Sequence, residues 1–407
     1  MFEKVKNLKG PMRSIYLLTL FSAFSYAMVV FVNSSFLEGF VSKNQVGLLF
    51  TGGSILSFFV LSNLARLLKT FGQFRVAISI FSLNLLTLSF LIFLNLTKTE
   101  ALPLSITIDN QTVLTILVAT TFIIFYMTTL LMRTIIDQYL EEFSTDEETG
   151  EERGLFLTTN SLPYIFAPTI VGLLLFDSQY WKIYLPSAIL TTIGIFIIIS
   201  GLRHIKDVSY ISSPFFETTK KVLANKDIRN IFISSFILQF FYSWMVIYTP
   251  VYLIQNIGLG WGTVGPIFSV MLLPFILFEY PLGKLADKKL GEKEILISGF
   301  LIMGTATISL SFILTQNPII WAIALFMTRV GASAIETMND TYFFKKIRAN
   351  DSDLIAFFRN ASPLAYIMGP AVATFFLLFI DFQYLFLVLG ILTLGGVYFS
   401  ATIEDTK

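Results

Sequence analysis

Asp137-Gln-Tyr139, followed by Tyr164-Ile-Phe-Ala-Pro168, returns later in the chain as Asp340-Thr-Tyr342, followed by Tyr366-Ile-Met-Gly-Pro370. The offset is 203 residues at the aspartates and 202 at the prolines, half of a 407-residue chain. Outward from these landmarks, Val46-Gly-Leu-Leu-Phe50 is echoed by Val264-Gly-Pro-Ile-Phe268 at an offset of 218, and the polar stretch from Thr97 to Gln111 supplies the extra length in the first half. A single echo is weak in text so rich in Phe, Ile and Leu. Several at the same ordinal positions point to two halves of common descent, the usual architecture of a membrane-embedded solute carrier.

Composition places the chain in a bilayer. Hydrophobic residues make up 55% of it, mean hydropathy is +0.74 and charged residues are only 14%, against about 25% in an ordinary soluble domain. The 43 Phe suit lipid contact, and a formal charge of +1 gives no sign of a nucleic-acid partner. With no Cys, disulfides, thiolate metal sites and cysteine nucleophiles are excluded. The lone His204 follows Arg203 at the end of a hydrophobic run, and no HExxH, GxSxG or P-loop occurs. Neither an enzyme, a metal centre nor a bound cofactor is expected.

Set against the roughly 20 residues needed to span a bilayer, the apolar runs give twelve candidate helices. They lie near 15–36, 46–65, 75–96, 112–138, 154–176, 181–201, 229–254, 263–282, 294–315, 318–343, 354–379 and 382–401. Lys4, Lys6, Lys9 and Arg13 precede the first, but no small-residue cleavage site follows, so helix 1 is read as retained. Lys and Arg resist translocation. With the N terminus inside, the outer connections hold only Lys43, Lys98 and Lys182. The inner segments hold Arg66, Lys69, Arg75, Lys220, Lys221, Lys288, Lys289, Lys345, Lys346 and Arg348. A multi-pass protein of the cell (plasma or inner) membrane with both termini cytoplasmic is expected.

The longest inner connection divides the chain into a six-helix bundle over 1–201, a linker over 202–228 and a second six-helix bundle over 229–407. Within the linker, Thr218-Thr-Lys-Lys-Val-Leu223 reads either as an amphipathic helix on the inner face or as flexible chain. The acidic run Glu141 to Glu152 reads either as a solvated linker or as an inner gate facing its basic counterpart, Lys345-Lys-Ile-Arg348.

Between helices 8 and 9 stands Gly283-Lys-Leu-Ala-Asp287-Lys288-Lys-Leu-Gly291-Glu-Lys293. It resembles the G-x-L-A-D-[RK]-x-G-[RK] loop signature of the major facilitator superfamily, with one extra residue before the final Gly. The equivalent first-half loop, Asn63-Leu-Ala-Arg66 to Gly72-Gln-Phe-Arg75, has Arg where the Asp belongs, so the stronger copy lies in the half where the family usually keeps the weaker. The resemblance implies an all-α fold of twelve transmembrane helices in two pseudo-symmetric six-helix bundles. It also implies a loop that helps hold the cytoplasmic side closed, which suggests Asp287 against the N-terminal end of helix 11 near Ser352 or Asp353. The alternative is a solvated basic loop. Ala167-Pro168-Thr-Ile-Val-Gly172 resembles the Gly-Pro-x-x-Gly-Gly motif of family exporters, with Ala and Val replacing two glycines.

Charge inside the bilayer is costly and tends to face the bundle interior. Helix 4 carries Arg133 and Asp137; helix 10 carries Arg329, Glu336 and Asp340. Spacings of four and seven residues return to one helix face. The repeat superposes Arg133 on Glu336 and Asp137 on Asp340, and in the family fold helices 1, 4, 7 and 10 line the central cavity. Glu336, roughly 13 Å inside Lys345 at 1.5 Å per residue, is the candidate proton carrier; the alternative is a fixed partner of Arg133 or Arg329. Arg329 is a candidate contact for a substrate anion, with structural pairing as the alternative. Tyr26 and Asn33 on helix 1 and Gln239, Tyr242, Trp244 and Tyr248 on helix 7 are further cavity candidates, or else a helix seam or aromatic belt.

The reading is a secondary transporter of a small molecule, working as a single chain in the lipid bilayer by alternating access and driven by protons. Export is favoured slightly over uptake of a metabolite or sugar. The rival from another class is a non-transporting sensor or lipid-handling protein of the same fold.

Overall fold

The computed structural model describes residues 10–30, 32–41, 43–98, 111–143, 149–174, 179–205, 213–348 and 350–404. Lys4, Lys6 and Lys9, most of the Thr97 to Gln111 stretch, positions 144–148 of the acidic run and the first part of the linker lie outside them. Among the described residues every regular element is helical. This is the economical solution in hydrocarbon, where each backbone N–H and C=O must be satisfied within the segment.

The elements are α1 (Pro11–Val30), α2 (Asn33–Glu38), α3 (Lys43–Ser62), α4 (Leu64–Phe71), α5 (Gln73–Lys98), α6 (Gln111–Glu141), α7 (Thr149–Ser161), α8 (Pro163–Leu174) and α9 (Trp181–Ile197). There follow α10 (Phe215–Ala224), α11 (Lys226–Val251), α12 (Trp261–Leu285), α13 (Lys293–Leu310), α14 (Pro318–Lys346), α15 (Ser352–Arg359), α16 (Ala361–Leu377), α17 (Tyr384–Leu394) and α18 (Gly396–Ala401). Among the described residues nine helices are long and apolar enough to cross a membrane, and α3 with α4 makes a tenth bent by 51°.

The two expected spans at 154–176 and 354–379 are each interrupted. α7 and α8, of 13 and 12 residues, meet at Leu162; α15 and α16, of 8 and 17 residues, meet at Asn360. The sequence repeats at these breaks as Asn160-Ser-Leu-Pro163 and Asn360-Ala-Ser-Pro363. A proline has no N–H to give the carbonyl four residues earlier and crowds it, so the helix loses a rung at Thr159 and at Arg359. With these two broken spans the twelve-helix reading accounts for the chain.

Contacts group the chain into two compact units, one of Phe2–Phe143 and Leu162–Ser212, the other of Ser144–Ser161 and Ser213–Lys407. The division therefore falls at the Leu162 break, and α7, a first-half segment, packs within the unit built by the second half. The first unit has a core around Phe36, Phe122, Phe125 and Tyr184. The second is centred on Phe241, Trp244, Phe300 and Trp321. The linker forms α10, whose Phe215 stacks on Phe357 at 5.5 Å and whose Lys221 pairs with Asp353 at 3.1 Å, while Phe216 and Leu223 stay exposed.

α14 carries most of the chemistry, and its sequence marks both of its ends. Asn317 caps its N terminus by accepting from Ile319 N at 3.0 Å, Pro318 occupies the first turn, and Lys345 and Lys346 complement the dipole at the other end. Gly331 sits against Gly299 and Met303 of α13 so closely that an added Cβ would meet backbone atoms at 2.5 Å. That approach packs one face of α14 on α13, while the polar stripe on another face meets α11 and α15.

Candidate functional site

Two clusters in the second unit, both built on α14, take in charges that sequence spacing singled out on that helix. In the first, Glu336 accepts a hydrogen bond of 2.8 Å from the Tyr242 hydroxyl of α11. Arg329, only 3% exposed, lies with its guanidinium 4.9 Å from the Phe241 ring and 5.4 Å from the Tyr242 ring. Its Nε and Nη1 are buried without a hydrogen-bond partner. Tyr366 of α16 and Glu279 of α12 are close enough to act electrostatically on this group. Glu279 is fully buried and accepts from Ser161 Oγ at 3.4 Å. A charge in the run Phe275 to Tyr280 is itself a signal, yet the stripe argument passed over Glu279 because it stands alone on its helix.

One turn further along α14, Asp340 meets Arg359 of α15 in a two-point fork of 3.0 and 2.8 Å. Both side chains are largely buried, at 4% and 13% exposure. Asp340 is thus paired with a guanidinium within its own unit. Planar guanidinium and carboxylate groups satisfy each other's geometry in such a fork.

The second cluster surrounds Asp287. Its carboxylate accepts from Gly150 N at 3.2 Å and Glu151 N at 2.7 Å, capping α7. It also pairs with Lys345 at 2.8 Å, and Lys345 in turn holds the fully buried Glu292 at 2.7 Å. A carboxylate facing exposed N–H groups at a helix start, with an ammonium beside it, is well satisfied. The expected partner near Ser352 or Asp353 is therefore corrected. Asp353 binds Lys221 and Thr218 of the linker helix instead, at 3.1 and 3.3 Å. The helix end facing Asp287 belongs to helix 5, which is the repeat mate of helix 11, so a motif copy in the second half takes the complementary helix.

α7 docks through small residues. A Cβ on Gly150 would meet the Gly283 carbonyl at 2.6 Å, a Cβ on Gly154 would meet that of Glu279 at 2.5 Å, and a Cβ on Gly283 would collide with the Gly150 carbonyl. Arg153, fully buried, stacks 3.2 Å over the Phe344 ring. Glu151 takes a hydrogen bond from Tyr280 at 2.8 Å with Lys284 4.0 Å away. Gly291 closes the loop at φ 73°, where a side chain would be strained, while Lys288 is exposed.

Lys346 pairs with Asp227 and Glu404 at 3.3 and 3.2 Å. Lys345 and Lys346 thus have carboxylate partners in their own unit, and Glu151 and Glu152 belong to α7 rather than to a solvated linker.

Of the helix 7 candidates, Trp244 is buried and gives its indole N–H to Gly369 O at 2.8 Å, and Tyr248 reaches Pro370 O at 3.4 Å. Both brace the proline region of α16, the seam alternative. Gln239 is half-buried. In the other unit Asn33, fully buried, accepts from the Tyr184 hydroxyl at 2.9 Å, and Tyr26 packs edge-on against Tyr164 at 6.4 Å. Arg133 is half-buried and Asp137 fully buried. Among the described residues no group of three or more His, Cys, Asp or Glu is arranged to hold a metal ion.

The sequence profile described as Major Facilitator Superfamily matches residues 15–354 and 231–406. No curated relative matches the sequence significantly. Solved structures do match over nearly the whole chain. A bacterial homologue of the iron transporter ferroportin, in an outward-facing state, has a TM-score of 0.79 at 12% identity, covering 97% of this chain and 98% of that one. The human organic anion transporter MFSD10 (TETRAN) has a TM-score of 0.73 at 10% identity, covering 96% and 98%. The proton:xylose symporter XylE has a TM-score of 0.72 at 13% identity, covering 98% and 97%. At these identities the likeness is one of fold.

Proposed function

Because the chain belongs to the Major Facilitator Superfamily, we propose that it is a proton-coupled secondary transporter, moving a small solute by alternating access. The observation that carries the coupling is the Tyr242–Glu336 contact of 2.8 Å. It supports Glu336 as a carboxylate about nine residues, hence roughly 13 Å, from the charged end of α14, engaged by the Tyr242 hydroxyl. A carboxylate engaged by a hydroxyl can take and release a proton as its surroundings open and close. The Asp287 cluster acts as a latch on α7, made and broken during the cycle. The distribution of Lys and Arg supports cytoplasmic termini in a cell membrane, with this latch on the cytoplasmic side, and the chain works as a monomer.

The test is flux of a panel of sugars, cationic drugs and organic acids in proteoliposomes, with and without an imposed pH gradient, for wild type and Glu336→Gln. Gradient-driven flux in wild type that becomes gradient-independent in the variant is expected. A fully coupled variant removes the proton role. Absence of flux for every compound moves the reading to a non-transporting sensor of the same fold.

A further inference from the structure

Arg329 is the buried cation whose surroundings leave it short of partners. The residue is only 3% exposed, and its Nε and Nη1 make no hydrogen bond among the described residues. The aromatic faces of Phe241 and Tyr242, at 4.9 and 5.4 Å, cushion the charge without accepting those N–H groups. A buried donor left unmade is costly, and a charged one more so. Structural roles elsewhere in the same unit look different: Arg359 completes a fork on Asp340, and Lys345 sits between two carboxylates. Arg329 stands ready for an acceptor that the fold does not supply.

We propose that Arg329, with the hydroxyl of Tyr242, binds the anionic group of a small organic acid, and that this anion loads together with a proton on Glu336. The inference rests on the transporter reading above and names its substrate class. Tyr242 links the two sites: its ring lies under Arg329 while its hydroxyl holds Glu336. Arg329 and Glu336 are seven residues apart on one face of α14, about 10 Å along the axis. An ionised Glu336 competes with an incoming anion for the Tyr242 hydroxyl and for the field of Arg329. Protonation of Glu336 removes that competitor.

The charge count gives the same answer. An anion and a proton loaded together leave the net charge of the site unchanged, and an uncompensated charge there is strongly penalised. The carboxylate of Glu279 from α12 and the hydroxyls of Tyr366 from α16 and Tyr242 from α11 are titratable groups that face the cluster. Glu279 adds a further reason why an anion enters only with a proton. Binding is one anion and one proton together, which makes the coupled movement co-transport in one direction.

The experiment uses purified full-length protein and matched probes: benzoate against benzamide, 4-toluenesulfonate against 4-toluenesulfonamide, and phenyl phosphate. Binding is read by thermal stabilisation in detergent and flux by proteoliposome uptake. At least one anion is expected to stabilise the wild type more than its neutral partner, and more strongly at low pH. Arg329→Gln is expected to weaken that binding about ten- to a hundredfold, the range for one charge-assisted hydrogen bond. Glu336→Gln is expected to bind the anion with its pH dependence flattened, and Tyr242→Phe, which keeps the ring under Arg329 and gives up only the hydroxyl shared with Glu336, is expected to weaken anion binding without the folding defect that loss of Arg329 could cause. No preference for anions over neutral partners, or equal anion binding by the variants, overturns the proposal. Anion binding through Arg329 without flux overturns the transporter reading and leaves the anion site. Gradient-driven flux of neutral probes, indifferent to Arg329→Gln, does the reverse.

Discussion

Arg359 grips Asp340 through two hydrogen bonds of 3.0 and 2.8 Å, tying the short helix α15 to the deep end of α14. Removing either partner leaves a buried charge unanswered, which costs about 3–5 kcal/mol. Asp340→Ala and Arg359→Ala are each expected to lower the thermal midpoint in detergent markedly. Their combination is expected to be less harmful than the sum, and a strictly additive double mutant would show that the fork is not a unit.

Asp287 serves two masters, the N terminus of α7 and the Lys345 ammonium. Asp287→Asn keeps an oxygen for the cap and loses the ion pair; Asp287→Ala loses both. Loss of an N-cap costs about 0.5–2 kcal/mol. The chain contains no cysteine, so a single Cys introduced at Glu151 reports α7 docking by its maleimide reactivity. The expected order of reactivity is Ala above Asn above wild type, and equal rates would sink the capping role.

Gly154 gives a sharper test of the same dock. A valine there must push the backbone carbonyl of Glu279 away from its 2.5 Å approach, and backbone cannot move aside as a flexible side chain does. Gly154→Val is expected to raise reactivity at position 151 and to reduce flux more than Gly154→Ala. A Val variant that labels and transports like wild type would contradict the close packing.

Arg153 covers the ring of Phe344 at 3.2 Å while fully buried. Desolvated cation–π contacts are worth about 2 kcal/mol. Phe344→Leu keeps apolar volume and removes the ring face, so it is expected to destabilise the protein by about that much in thermal unfolding, and Phe344→Tyr by little.

How much of this was legible follows from the physics of each signal. Helix number came through because a bilayer imposes a length on every apolar run, and the duplicated landmarks at Asp137 and Asp340 fixed the halving. The stripe Arg329, Glu336, Asp340 was visible because charges in hydrocarbon are rare and helical spacing orders them. Partners were not visible, since Tyr242 and Arg359 reach these residues across helix contacts that one-dimensional spacing does not contain. The Gly150-Glu-Glu-Arg-Gly154 pattern was in plain text, a small-residue spacing known for close helix approach, but its acidic filling drew attention to charge instead. The breaks at Leu162 and Asn360 were likewise announced by Asn-x-x-Pro in both halves, within runs that hydropathy alone reads as continuous.

Gly150 and Gly283 meet backbone against backbone, each already without a side chain to give up. A clash introduced on one side therefore has no compensating substitution on the other. The junction is therefore a two-glycine unit, in which a side chain at either position forces the two backbones apart.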